Sequence, residues 1–203
     1  MATPPTIPYS ALCLEMLDQD RPYDLVPTRP HEPLRSRLQN ASPRDLFTQA
    51  DPIDNSAAKC CLAALWLWHD FLDESHQISQ QIDTPEGSYW HAIMHRREGD
   101  FSNAKYWYRR VGKHAIFATL SQSFAHLQND DSTSSRLGNP LRDARPWDPY
   151  SFVDRCQTLA SRSNTSQNAG DLAFCRQIGK QEWRLLFDYC ACKALDIPSH
   201  TNR

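Results

Sequence analysis

The chain has 203 residues, of which 40% are hydrophobic and 10% aromatic, and its net charge is −2. That length suits one domain with a sizeable core, and so small a charge gives no electrostatic footprint for nucleic acid or an anionic membrane. No run of about 18 apolar residues is present, so no membrane span is expected, and a mean hydropathy of −0.65 with 14 prolines points to long polar or irregular segments.

Residues 1–45 carry Pro4, Pro5, Pro8, Pro22, Pro27, Pro30, Pro33 and Pro43. Each proline biases its predecessor away from the helix. The pattern predicts a mostly extended arm with short helices near 9–17 and 32–38. Leu12, Leu14, Leu17, Leu25 and Leu34 need a partner surface, so the arm is expected to pack on the core. The opening MATPPTIPYSALCLEML lacks a basic start followed by an apolar run, which argues against a secretory signal. Seven cysteines fall mostly in apolar helical runs, with no CxxC pair. They read as buried free thiols of a reducing, cytoplasmic compartment, and a zinc ribbon is disfavoured.

Residues 46–203 read as a single helical domain. Asn55 or Ser56 caps a first strong helix, AAKCCLAALWLWHDFLDESHQISQQI, expected to run unbroken to about residue 82. It is apolar almost all round between Cys60 and Leu72, the mark of a central helix. Thr84 and Pro85 open a second helix over 85–98. Gly99 ends it, and Asp100 caps a third, FSNAKYWYRRV, which stops at Gly112. A fourth is expected over 115–127. Two polar loops, about 129–146 and 161–170, flank a helix that opens at Asp148-Pro149. The last long helix starts at Asp171 and ends before Pro198, with Gly179 as a weak point. On it Trp183, Leu186, Phe187 and Cys190 form a core stripe, and Glu182 and Asp188 read as solvent-facing. No strand is expected. The fold class is all-α, an irregular multi-helix bundle with a proline-rich N-terminal arm.

The candidate sites gather around the first two helices. His69, Asp73 and His76 stand at i, i+4 and i+7 of the expected long helix, on one face. His91, His95 and Glu98 repeat that spacing on the second. A short connection makes the two helices antiparallel neighbours. Two stripes of imidazole and carboxylate facing each other could hold one divalent metal such as zinc, iron or manganese. With an open position it would activate water for hydrolysis. The tandem His69-Asp70 resembles the dipeptide of HD-type phosphohydrolases. HxxxH at 91–95 lacks the Glu of HExxH, because Ala92 stands there. The bland reading has no metal: His91 bonds Asp73, and His76 bonds Glu98.

Ala92, the Gly99-Asp100-Phe101 turn, Ala104, Tyr108 and Val111 have a recognisable spacing. On these residues, positions 87–111 resemble one hairpin of the tetratricopeptide or Sel-like repeat families. The resemblance implies a helical interaction surface rather than a catalyst. His91 and His95 depart from the usual apolar or aromatic positions, and no second copy follows at a period of 34 to 40 residues.

A second site candidate lies beside the first. Arg96, Arg97, Arg109 and Arg110 concentrate positive charge near Trp107, a setting for an anion. The plainer alternative is a solvated basic face. No GxSxG elbow or phosphate-binding glycine loop exists. The sequence does not decide whether the protein is an enzyme. Its leading reading is a non-catalytic domain binding a protein partner or small anionic ligand, without nucleic acid, membrane or cofactor. The alternative is a metal-dependent hydrolase using His69, Asp73, His76, His91, His95 and Glu98.

Overall fold

A computed structural model describes residues 6–17, 21–48, 51–128, 147–161 and 169–198, with the backbone course alone for 124–128. Among the described residues the protein is all-α, with nine α-helices and no strand. In chain order these are α1 (Ala11–Leu17), α2 (Arg35–Asn40), α3 (Asn55–Trp68), α4 (Leu72–Ser79), α5 (Pro85–Glu98), α6 (Phe101–Val111), α7 (Ile116–Gln128), α8 (Pro149–Ser161) and α9 (Ala169–Ala194). The expected loop at 129–146 lies outside the described residues, as does most of the one at 161–170.

Helix α3 sits at the centre. Ala57, Ala58 and every residue from Cys60 to Trp68 are buried, as a helix apolar all round requires. It packs against α4, α5 and α9. Trp183 of α9 donates its indole N–H to the Ala64 carbonyl, 3.2 Å away, which ties the two longest apolar stripes together. The N-terminal segment lies on this core through buried Cys13, Met16, Tyr23, Leu25, Leu34 and Leu38. Gly179 makes one of those contacts possible. A Cβ there would fall 2.4 Å from the Tyr23 ring, so only glycine lets Tyr23 come this close to α9. All seven cysteines are buried and free. No helix among the described residues is long and apolar enough to cross a membrane.

The expected continuous helix over 55–82 is two helices. Asp70 takes a left-handed φ of 64°. Its N–H bonds the Leu67 carbonyl at 3.2 Å, and the Phe71 N–H bonds the Trp66 carbonyl at 3.0 Å. Those two bonds are a Schellman end, a motif that usually has glycine at the left-handed position. Here distant partners hold an aspartate in it. Arg97 and Arg21 pair with the Asp70 carboxylate, and Thr28 donates to it as well. Arg97 also donates to the Leu67 carbonyl at 2.6 Å.

Helices α5 and α6 form the expected hairpin, with both sets of bounds as the capping residues predicted. Thr84 accepts from the Gly87 N–H, Gly99 turns the chain at φ 93°, and Asp100 accepts from the Asn103 N–H. Helix α4 packs on α3 and α5, and α8 closes the far side against α6 and α9.

Candidate metal centre

The short connection between α4 and α5 turns the chain back on itself and brings His76 against His91 and His95, in the middle and second half of α5. Ring centroids lie 4.6 Å apart for His76 and His91, 5.3 Å for His76 and His95, and 4.7 Å for His91 and His95. One ring nitrogen from each residue lies within 4.8 Å of the other two. His91 and His95 are buried and His76 is half-buried. The cluster is thus open on the α4 side and closed by α6 on the other. Trp107 of α6 stacks on His91 at 3.9 Å, with the rings 15° from parallel.

Burial pushes the His91 imidazolium down, to a pKa of about 3, and the neighbouring His95 and His76 add to the shift. Burial lowers His95 too, with the Glu98 carboxylate pulling the other way. At neutral pH both rings are neutral, and each keeps a lone pair for a metal ion or a hydrogen donor. His95 has partners: Glu98 Oε2 lies 3.1 Å from Nδ1 and the Asn103 amide nitrogen 3.0 Å from Nε2. In His91, Nδ1 is buried without a hydrogen-bond partner.

Of the six candidate ligands, three come together and three do not. His69 sits at the C-terminal end of α3, its Nε2 3.1 Å from the Met16 carbonyl and its ring 5.6 Å from His31. The break at Asp70 removes it from the helix that carries His76, so the expected i, i+7 relation does not exist. Asp73 is exposed on α4. Glu98 stands at the rim, 54% exposed, and bonds His95 rather than His76. The hydrogen-bond pairs that would have made the histidines ordinary core residues, His91 with Asp73 and His76 with Glu98, are both absent. Asp70, half of the HD dipeptide, is committed to Arg21, Arg97 and Thr28.

The five residues of the anion candidate do not converge. Arg96 is buried, with its guanidinium paired to Glu182 at 2.6 Å and bonded to the Tyr108 hydroxyl at 2.7 Å. Arg97 is buried against Asp70. Arg109 lies over the Tyr106 ring. Arg110 pairs with Asp83 at 2.9 Å and lies over Trp107. Only the last two have exposed side chains, and Trp107 spends one face on His91.

Two neighbours of the cluster went unnoticed in the sequence reading: Asn103, and Trp107 in its role as a wall. The signal was available. His95 and Asn103 stand four residues either side of Gly99, and His91 and Trp107 eight either side, as an antiparallel hairpin turning at Gly99 would align them. Glu182, expected to face solvent, does not. It is fully buried, and it accepts from Tyr89, Tyr108 and Arg96. Compared with family models, curated proteins and solved structures, the chain has no match.

Proposed function

We propose that this protein binds one divalent transition-metal ion through His76, His91 and His95, with zinc the best fit. The observation that carries the reading is the buried, unpartnered Nδ1 of His91 inside a cluster of three converging imidazoles. A buried polar atom without a partner costs about 1–3 kcal/mol, and a bound ion at this cluster would relieve such a cost. Zinc–nitrogen bonds of about 2.1 Å set tetrahedral ligands about 3.4 Å apart. The three nitrogens lie within 4.8 Å of one another, so the ligands have to close in by up to about 1.4 Å to reach that spacing. Neutral imidazoles without carboxylate ligands favour zinc, copper, nickel or iron over magnesium, calcium or manganese.

A second reading follows from the ligand count. Structural zinc sites are closed by four protein ligands, whereas catalytic ones keep three and hold water in the fourth position. Three histidines with one half-buried ring facing outward fit the latter, which supports a metal-dependent hydrolase. The anion-binding alternative lacks comparable support, because its arginines are dispersed or already paired. Buried free thiols fit a cytoplasmic setting.

Elemental analysis of untagged protein by plasma mass spectrometry tests the proposal, with His91→Ala and His95→Ala alongside. Near-stoichiometric zinc in the wild type, lost in both variants, is the expected result and justifies a hydrolase screen. Folded, metal-free protein that takes up no added zinc, copper, nickel or iron would overturn it.

A further inference from the structure

We infer that Glu98 sets the metal affinity of this site by holding His95 with its hydrogen on Nδ1 and its Nε2 lone pair free for the ion. The inference rests on the three-histidine reading above and concerns the one ligand of the three whose two ring nitrogens both have neighbours.

A carboxylate can only accept, so the 3.1 Å contact between Glu98 Oε2 and His95 Nδ1 puts the hydrogen on Nδ1. In the neutral ring that leaves the lone pair on Nε2. The Asn103 amide nitrogen lies 3.0 Å from Nε2 and 3.5 Å from Nδ1. Distances that similar to both ring nitrogens set the amide against the ring face, away from the in-plane lone pair of Nε2, so Asn103 leaves that lone pair free. Metal-bound histidines commonly donate their other ring N–H to a carboxylate, which fixes the ring and raises its basicity. Glu98 is a positioning residue of that kind. Asn103 rests on the ring without taking the nitrogen the ion would use.

Neither residue is needed for the fold around it. The N-terminal cap of α6 uses the Asn103 backbone N–H and the Asp100 carboxylate, so Asn103→Ala leaves it intact. Glu98 is the last residue of α5 and mostly exposed. A negative charge at a helix C-terminus opposes the macrodipole, so Glu98→Ala is expected to leave stability level or slightly raised.

A zinc titration against a chromophoric chelator, on wild type and variants, reads the effect. Glu98→Ala should weaken zinc binding about 10- to 100-fold, the usual cost of losing a carboxylate behind a ligating histidine. Glu98→Gln keeps an acceptor and should lose less. Asn103→Ala removes a ring-face contact only and should leave affinity nearly unchanged. Long-range proton–nitrogen NMR on the metal-free wild type should show His95 protonated at Nδ1. Protonation at Nε2, or a Glu98→Ala protein that binds zinc as tightly as the wild type, would sink the inference. If His91→Ala still abolished binding in that case, the three-histidine site itself would stand. A wild type that binds no zinc would remove both.

Discussion

Helix α5 buries ionisable groups on two of its sides and treats them in opposite ways. Toward α6 and α9, Arg96 meets Glu182 with both side chains almost fully enclosed. Both Glu182 oxygens are occupied, one by Arg96 and the other by the Tyr89 and Tyr108 hydroxyls, each at 2.9 Å. Toward α4, His91 and His95 are buried beside His76, with one carboxylate, Glu98, at the rim on His95 and one His91 nitrogen left over. The first arrangement is closed: every charge has its complement, and nothing remains to bind a ligand. The second is incomplete, and the missing complement has the geometry of a cation. The comparison teaches that burial of polar groups does not mark a site by itself. What marks it is the convergence of ligand atoms, with an unpartnered one among their residues.

The closed side should show itself in stability and the open side in binding. Replacing Glu182 with alanine strands a buried guanidinium and two tyrosine hydroxyls. Breaking one partner of a buried ion pair costs about 3–5 kcal/mol, and chemical denaturation of the variant should read that loss. Under the same assay His91→Leu in metal-free protein should cost far less, since it removes an atom that has no partner. A Glu182→Ala protein within about 1 kcal/mol of wild type would erase the distinction between the two sides.

Acid should act on the open side, and on two buried histidines outside it. A histidine whose folded-state pKa lies below the unfolded value of about 6.5 binds its proton more readily once unfolded. Stability is then level above pH 6.5 and falls as the pH drops toward the folded pKa. For His91, held near 3, lowering the pH from 7 to 5 should cost about 2 kcal/mol, at roughly 1.4 kcal/mol per pH unit. His69 and His114, each pushed to about 4 by burial, act with the same sign. The His91 share is isolated by following chelator-treated wild type and His91→Leu across that range. The variant should lose about 2 kcal/mol less than the wild type. Parallel curves would mean that His91 is protonated in the folded protein.

Much of the open side was legible in the sequence, and little of the closed side was. Pro85, Gly99 and Asp100 are local signals, and each acts within a few residues of itself. They placed α5, α6 and the i, i+4 spacing of His91 and His95 correctly. The break at Asp70 was not legible, because no glycine or proline marks it. Its left-handed backbone is held by Arg21 and Thr28 from the N-terminal segment and by Arg97 from α5. Without that break His69 and Asp73 looked like ligands. Glu182 failed for the same reason: its position on the wheel beside Trp183 read as solvent-facing. Its partners Tyr89, Arg96 and Tyr108 all come from the α5–α6 hairpin, far away in sequence. Interactions that span the chain left no periodic trace for a helical reading to follow.

Helix α4 is where the two sides can be compared in one molecule, because it touches only the open one. Its eight residues, LDESHQIS, bury Ser75 and Ser79 rather than large apolar side chains. The Ser75 hydroxyl has no partner, and Phe71 offers no side-chain cap. Leu72 and Ile78 are only partly buried. A helix docked through so few apolar atoms should open locally at low free-energy cost. His76 is its one link to the cluster, so an ion shared with His91 and His95 would fasten α4 to α5. Any opening that pulls His76 away must release the ion. Zinc at ten times its dissociation constant should therefore slow amide exchange in α4 about tenfold, roughly 1.4 kcal/mol. Amides of α9 near Glu182, which open only with the core, should gain protection only as the global stability does. His76→Ala should abolish the local effect. If zinc binds tightly yet leaves α4 exchange unchanged, His76 is not a ligand, and the site reduces to the His91–His95 pair on α5.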